Sequence, residues 1–534
     1  MAKLLSSAQM READRRTIDE LGLPGVVLME NAGAGVVAVL QARLPDWREH
    51  PVLVLAGQGN NGGDGFVVAR RLLQAGARVS VFVFGQCALL QGDALTHFQV
   101  FEGGGGLVRE MGLAADLALF ERLLGHAGVV VDAVFGTGLT RPVTGMTASL
   151  FAKVNQAGKP VLAVDLPSGV SADNGQILGV ALQARWTVTF ASEKVGHRTH
   201  PGAGLCGEVV VVDIGIPARY LDIPDHAVAR NLLGDLVMPR RQADAHKGTF
   251  GHLLVWAGSV GKEGAAALTA LGALRTGPGL VTVATPRTAR PGVMAKVTEA
   301  MTWPLPEEGG SEAFMASLQG SAIQPDALAL GPGLGQEAWL CEALLALLRE
   351  WDVPTVLDAD GLNALSRQGH VVAGLSRSRQ APLILTPHPG EFSRLLAGAV
   401  SAAAVQADRL GYAQQLAREW HVWLVLKGAG TVIAAPDGRA WINETGNDGL
   451  AAGGSGDLLT GIIAGLLTQG WPVESAVRAG VWLHGAAADA AGGGPGLLAS
   501  DLLPHVRQLR GAWSAGQAGP AAVDGEAAPL PKTV

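Results

Sequence analysis

Two glycine-dense turns carry the residue types best suited to chemistry: GQGNNGGDG at residues 57–65 and GNDGLAAGGSGD at 446–457. Each holds an aspartate near its end and leads into an apolar stretch of helical character. Glycine lets backbone N–H groups approach a phosphate with no Cβ in the way, and a helix N-terminus adds positive potential. A carboxylate inside such a cradle repels phosphate, so Asp64 and Asp457 are placed to hold a cation or to move a proton. Two such turns nearly 400 residues apart predict two nucleotide-handling sites in two domains.

The chain must supply elements that position these turns. Its 534 residues predict roughly two to four domains. With 48% hydrophobic and 16% charged residues it has apolar material for large buried parallel sheets. A net charge of −7 and a pI near 6.0 give no electrostatic footprint for nucleic acid. Cys87, Cys206 and Cys341 are isolated and odd in number, which suggests neither a disulfide framework nor a zinc knuckle. Charged residues from Arg11 to Arg16 stand where a signal peptide needs an apolar run. The longest greasy stretch, 458–467, contains two glycines and falls short of the ~18 residues that span a bilayer. A soluble, cytoplasmic protein that binds no membrane is expected.

Residues 51–56, 79–84, 128–134, 160–166 and 207–217 read as strands, with helical stretches such as 65–76 between some of them. That rhythm predicts a doubly wound α/β sheet, whose ligands bind at the carboxyl ends of the strands. The first glycine turn, Asp132 and Asp165 all fall at such ends. Pro224, Pro239 and mixed charges mark a stretch without periodicity, and a linker is placed at 223–240, between domains at 1–222 and 241–510. The second domain restarts with strands at 252–258, 280–286, 326–333, 354–360, 382–390 and 422–428, then helices at 457–469 and 474–491. The Ala-, Gly- and Pro-rich tail at 511–534 is expected to be disordered.

Gly57, Gly59 and Gly62 match the dinucleotide fingerprint by letter. That fingerprint also needs an acid about 20 residues on to hold a ribose, and the following strand, ARVSVFVFGQ, has none. Asp64 also intrudes where a pyrophosphate would sit, which argues against an ordinary NAD dehydrogenase. Instead, residues 9–33, NNGGDG, VDAVFGTGLTRPVTG (131–145), VDLPSGVSADNG (164–175) and VVDIGIP (211–217) resemble the NAD(P)H-hydrate epimerase family. The resemblance implies a Rossmann-like domain in which Asn60, Asn61, Gly62, Gly63 and Asp64 cradle the phosphates and ribose of a hydrated nucleotide. Gly136, Thr137, Gly138, Leu139, Thr140, Arg141 and Pro142 would share that role. It further implies potassium at Asn61, Asp132 and Ser168, and Asp165 as the carboxylate touching substrate. The substrate is a hemiaminal, which loses hydroxide to an iminium and regains water on either face. One carboxylate that gives and takes a proton suffices, and Asp165 is the candidate. Ser168 and Asp132 taken singly also read as caps of a turn and a strand end.

The second turn carries no Walker sequence. Backbone N–H groups in GGSGD (453–457) can stabilise a transferring phosphoryl group, and Asp457 can take the proton from an attacking hydroxyl. The plain alternative is an aspartate favoured by the helix dipole. Residues 246–286, GPGLG (331–335), DADGLNAL (358–365), TPHPGEFSRLL (386–396) and KGAGT (427–431) resemble the ADP- or ATP-dependent NAD(P)H-hydrate dehydratases. That resemblance implies a ribokinase-like fold, with Ala265, Gly333, His388 and Asp457 on the hydrated nucleotide. Lys427, Gly428, Ala429, Gly430, Thr431 and Gly456 would hold the adenine nucleotide. Asp448 and Leu450 replace the usual proline and methionine of GNPGM, and Pro278 interrupts the usual GAGL, which bears on loop geometry. His388 also reads as a satisfied core histidine.

Together these motifs imply a bifunctional repair enzyme that interconverts the R and S hydrates of NADH and NADPH (NADHX and NADPHX) and dehydrates the S form. Potassium is expected in the first domain, magnesium and ADP in the second, and a homo-oligomeric state overall. Two rivals remain: a ribokinase-like small-molecule kinase with an accessory ligand-binding domain, and a scaffold that retains a catalytic-looking domain for binding alone. Preference between ADP and ATP is left open.

Overall fold

The computed structural model describes residues 2–111, 114–222, 228–239, 241–242, 244–320, 322–366 and 368–514. The chain divides into two compact units, the first Lys3–Val228 and the second beginning at Ala229.

In the first unit seven strands form one parallel sheet: β1 Val52–Ala56, β2 Val79–Val83, β3 Val108–Glu110, β4 Val129–Ala133, β5 Val161–Val164, β6 Trp186–Phe190 and β7 Glu208–Val212. Their order is β3-β2-β1-β4-β5-β6-β7. Valine-rich runs buried on both faces, such as β1 and β4, are what a helix-covered parallel sheet requires. β3 and β6 escape the sequence reading because one is a three-residue edge and the other alternates aromatic residues with Thr187 and Thr189.

The helix after β1 runs Asn60–Gln74 and so begins five residues earlier than the expected 65. The glycines of its first turns sit there for close packing. A Cβ on Gly62 would stand 1.9 Å from the Gly57 carbonyl oxygen, and one on Gly63 would stand 2.5 Å from Met29 Sδ. Among the described residues, Gly25–Arg43 is a 19-residue helix long and apolar enough to cross a bilayer, longer than the stretch at 458–467. Its buried residues, including Leu28, Val36 and Leu40, join the core under the first sheet.

The second unit holds a ten-stranded sheet that takes in β8 Val228–Arg230. Its other strands are β9 His252–Trp256, β10 Leu280–Pro286, β11 Met301–Leu305, β12 Ala327–Leu330, β13 Thr355–Leu357, β14 Leu383–Leu385, β15 Trp423–Leu426, β16 Thr431–Ala434 and β17 Ala440–Asn443. The order is β11-β10-β9-β12-β13-β14-β15-β16-β17-β8. It is parallel from β11 through β15, and β16 and β17 then continue antiparallel. The stretch 223–240, expected as a linker, contributes β8 and a short turn at Leu233–Asp235, while residues 223–227 and 240 lie outside the described residues.

Helix Ser455–Thr468 packs backbone to backbone on helix Glu263–Thr276. A Cβ on Gly461 would lie 1.9 Å from the Thr269 carbonyl oxygen, and one on Gly272 would lie 2.6 Å from that of Leu458. The last helix, Leu502–Ser514, carries order past 511, and the rest of the expected disordered tail lies outside the described residues.

Candidate active sites

The strand order of the first sheet reverses between β1 and β4, the kind of crevice in which doubly wound sheets bind ligands. Asp132 lies in β4 opposite Leu55 of β1 and Ala163 of β5. It is fully buried, accepting the Ser168 N–H at 2.7 Å on Oδ2 and the Ser168 hydroxyl at 2.5 Å on Oδ1. Burial pushes its carboxyl up to about 6 against the pull of those hydrogen bonds. Ser168 Oγ also accepts the Phe135 N–H at 2.8 Å. The Asn61 amide is buried, and neither its oxygen nor its nitrogen has a partner. A Cβ on Gly136 would stand 3.1 Å from both Asn61 Oδ1 and Asp165 Oδ2, so the turns after β1, β4 and β5 converge. Leu139 N–H donates to the Gly136 carbonyl at 3.3 Å, and Gly138 and residues 140–142 lie exposed further along that loop.

Asp165 has φ +67°, a left-handed conformation unusual for a non-glycine residue. Its carbonyl meets His197 Nε2 at 2.7 Å, while His197 Nδ1 accepts the Lys194 N–H at 2.8 Å. This requires the Nε2–H tautomer, which donates to Asp165, and burial lowers the His197 pKa to about 4, keeping the ring neutral. The Asp165 carboxylate pairs with Lys194 Nζ at 2.8 Å and accepts the Thr189 hydroxyl at 3.0 Å. Burial alone would raise its pKa, but the Lys194 ammonium and these hydrogen bonds bring it below the usual aspartate range. Its neighbours differ. Burial, together with the charges of Asp165 and Asp14, raises Asp64 well above that range. Burial raises Asp14 to about 6 against the opposing Lys194 charge. Asp14, Asp64, Asp165 and Lys194 line one cleft, partly open to solvent, whose walls include Met29 and Phe190. Sequence reasoning missed Lys194, His197 and Asp14. Lys194 and His197 follow β6, the strand it overlooked, and Asp14 lies in the helix Ser7–Asp19, whose quoted motif drew no role from single charges.

The second sheet repeats the plan, its order reversing between β9 and β12. Ala265 and Gly333 meet there: a Cβ on Gly333, at φ +66°, would lie 3.0 Å from the Ala265 Cβ. After β13 comes Asp358, after β14 His388, after β15 Lys427. Lys427 Nζ donates to Asp358 Oδ1 at 2.8 Å and stands 3.7 Å from Glu391 Oε2. Thr460, one turn beyond Asp457, donates its hydroxyl to Asp358 Oδ2 at 2.9 Å and so ties the helix to the strand end. A Cβ on Gly456 would lie 3.1 Å from Lys427 Nζ. Burial and the charge of Asp358 raise Asp457 to about 6, opposed by Lys427.

His388 is no core residue, since its side chain is 51% exposed. Its Nδ1 accepts the Gly390 N–H at 3.0 Å, capping helix Pro389–Leu395. The substituted GNDG run is a closed turn in which Asn447 Oδ1 accepts the Gly449 N–H at 3.1 Å and Asp448 Oδ1 the Gly494 N–H at 3.2 Å. Residues 427–431 form the turn between β15 and β16, with the Thr431 hydroxyl donating to the Gly428 carbonyl at 2.9 Å. Asp358 and Glu391 sit in quoted motifs without an assigned role, because only the assembled sheet shows them sharing one lysine.

Two α/β units, each gathering glycine turns, carboxylates and a lysine where its strand order reverses, define a two-domain nucleotide-handling enzyme. The family described as NAD(P)H-hydrate dehydratase matches residues 253–508, and that described as YjeF-related protein N-terminus matches residues 25–196. The bifunctional NAD(P)H-hydrate repair enzyme Nnr of Moorella thermoacetica is 44% identical over 518 residues, covering 94% of this chain and 96% of the relative. The protein of the same name from Thermofilum pendens is 38% identical over 94% of this chain and 95% of its own. A solved structure, the ADP/ATP-dependent NAD(P)H-hydrate dehydratase from Bacillus subtilis co-crystallised with ATP and Mg2+, is 36% identical. It covers 51% of this chain and 94% of its own, with a TM-score of 0.44. The chain belongs to the bifunctional NAD(P)H-hydrate repair enzymes, an epimerase domain followed by a dehydratase domain. Relatedness over nearly the full length sets aside the kinase and scaffold rivals.

Proposed function

We propose that the first site exchanges the R and S hydrates of NADH and NADPH and that the second dehydrates the S form at the expense of ADP. The observation that carries this reading is a buried lysine–carboxylate pair beside a glycine turn in each unit: Lys194 with the acid/base Asp165 itself, and Lys427 with Asp358, whose charge acts on the base Asp457. In the first site the leaving hydroxyl needs a proton and the returning water must lose one. Asp165, its pKa lowered by Lys194, serves as the base, and Asp64, its pKa raised by burial, as the donor. This divides between two carboxylates the work expected of Asp165 alone. Lys194 and His197 position Asp165 through its carboxylate and its carbonyl.

The orphaned Asn61 amide oxygen beside an all-oxygen set from Asp132 and Ser168 suits a hard monovalent cation such as potassium. Bound there, potassium offsets the Asp132 charge and that of a ligand phosphate. In the second site, residues 427–431 and Gly456 hold the adenine nucleotide, while Ala265, Gly333 and His388 face the hydrated nucleotide. Asp457 takes the proton from the ring hydroxyl as it attacks the phosphoryl group; phosphate then leaves with the C–O bonding electrons, and the adjacent ring carbon gives up a proton to restore the dihydropyridine. Magnesium is carried mainly on the nucleotide phosphates. Three free cysteines fit a reducing cytoplasm.

The test is incubation with mixed R and S NADHX, ADP, magnesium and potassium, following NADH absorbance. Complete recovery of both epimers is expected. Recovery that stops at the S fraction would sink the epimerase role, and recovery without a nucleotide would sink the dehydratase role. A pH profile adds a second check. Asp457 must be ionised to accept a proton, and its carboxyl is raised to about 6. The kcat/KM for dehydration should therefore fall about tenfold per pH unit below that value. The same shift favours the protonated form in the folded chain, so the stability it contributes is present in acid and lost as pH rises through about 6. A profile flat from pH 5 to 8 would contradict the base assignment.

A further inference from the structure

Arg409 opens helix Arg409–Trp420 and is fully buried. Its Nη2 donates to the Ala429 carbonyl, while Nε and Nη1 have no partner. Among the described residues no carboxylate pairs with it, and burial lowers its pKa to about 10. The guanidinium lies against the inner side of the turn at residues 427–431. A Cβ on Gly428, whose φ is +145°, would fall 2.6 Å from Nη1, so this close approach needs glycine. On the outer side, Gly428 and Ala429 are exposed.

A trans peptide directs its C=O and the following N–H in opposite directions. With the Ala429 carbonyl pinned inward on Arg409, the Gly430 N–H points outward, away from the guanidinium. An uncompensated buried cation costs the free protein stability, and that cost is relieved when an anion binds nearby in the same low-dielectric region. The two unpartnered, fully buried donors mark a site awaiting negative charge.

We infer that Arg409 is a positioning residue for the phosphates of a nucleoside diphosphate. It turns the Gly430 N–H outward and sets a buried positive charge behind the turn. This rests on the reading that residues 427–431 hold the adenine nucleotide.

The test compares Arg409→Met and Arg409→Lys with the wild-type chain in NADH recovery from S-NADHX, and in thermal melting with and without ADP. In Arg409→Met the KM for ADP should rise about tenfold or more, as for loss of a charged hydrogen bond. The kcat should stay within about threefold, and the KM for the hydrate should not move. Because methionine fills similar volume without an unpaired charge, melting without nucleotide should be unchanged or higher. The rise in melting temperature given by ADP should shrink. Arg409→Lys keeps the charge and should raise the ADP KM less than Arg409→Met. If the methionine variant does not fold, an ADP KM in the lysine variant above the wild-type value supports the inference. A wild-type ADP KM in every variant that folds overturns it, and a lowered melting temperature with that unmoved KM marks Arg409 as purely structural. If wild-type recovery ignores ADP, the reading of the turn fails, and the inference with it.

Discussion

Asp457→Asn should abolish nucleotide-dependent NADH recovery while leaving exchange between the R and S hydrates intact. The change keeps the shape of the side chain and removes only its capacity to take a proton, a loss of at least ~10²-fold for a positioned acid/base group. Its surroundings argue that the effect is chemical. Asp457 stands in the first turn of a helix held by the Thr460–Asp358 hydrogen bond and by the backbone contact at Gly461, and neither involves its carboxylate. Asparagine also relieves the repulsion from Asp358 that helps raise the aspartate to about 6. The variant should therefore melt no lower than the wild-type chain. Recovery at the wild-type rate would show that Asp457 does no more than favour its helix dipole.

Asp165→Asn should stop the exchange of hydrates while the dehydratase continues to consume the S form. In a racemic mixture with excess ADP, recovery of NADH should slow sharply once the S hydrate is exhausted, leaving spontaneous epimerisation as the remaining supply. The expected loss is again at least ~10²-fold. This substitution also leaves the Lys194 ammonium, 1% exposed, without its carboxylate. Breaking a buried pair from one side costs about 3–5 kcal/mol, softened here by the bonds from Lys194 Nζ to the Thr189 hydroxyl at 2.8 Å and the Phe190 carbonyl at 3.1 Å. A lowered melting temperature is expected, and chromatographic separation of the epimers below that temperature reads the chemistry alone. Exchange at the wild-type rate would remove Asp165 from the mechanism.

The sites were legible in the sequence to different depths. The glycine turns could be read because a phosphate cradle needs several glycines close together, and such density survives as a local pattern. Asp457 could be read because it follows its glycines directly. Lys194 could not, since nothing within 194–197 distinguishes a lysine that meets Asp165 from one facing solvent. Its role exists only once β6 lies beside β5. The same holds for Arg409, some twenty residues before the turn it supports and typical in composition of an exposed helix.

By itself the sequence determined most of the parallel strands at the centre of each sheet, because buried strands must be apolar on both faces and so appear as unbroken valine- and leucine-rich runs. It also determined which turns approach phosphate. Only the tertiary structure decided how the carboxyl pKa values diverge. Lys194 lowers the pKa of Asp165, while burial raises those of Asp64, Asp14, Asp132 and Asp457. A carboxylate's pKa depends on the dielectric around it and on charges within a few ångströms, and both are set by residues far away in the chain. The edge strands β8 and β11 and the antiparallel β16 and β17 were likewise settled by long-range pairing, since short segments have too few residues to declare a period.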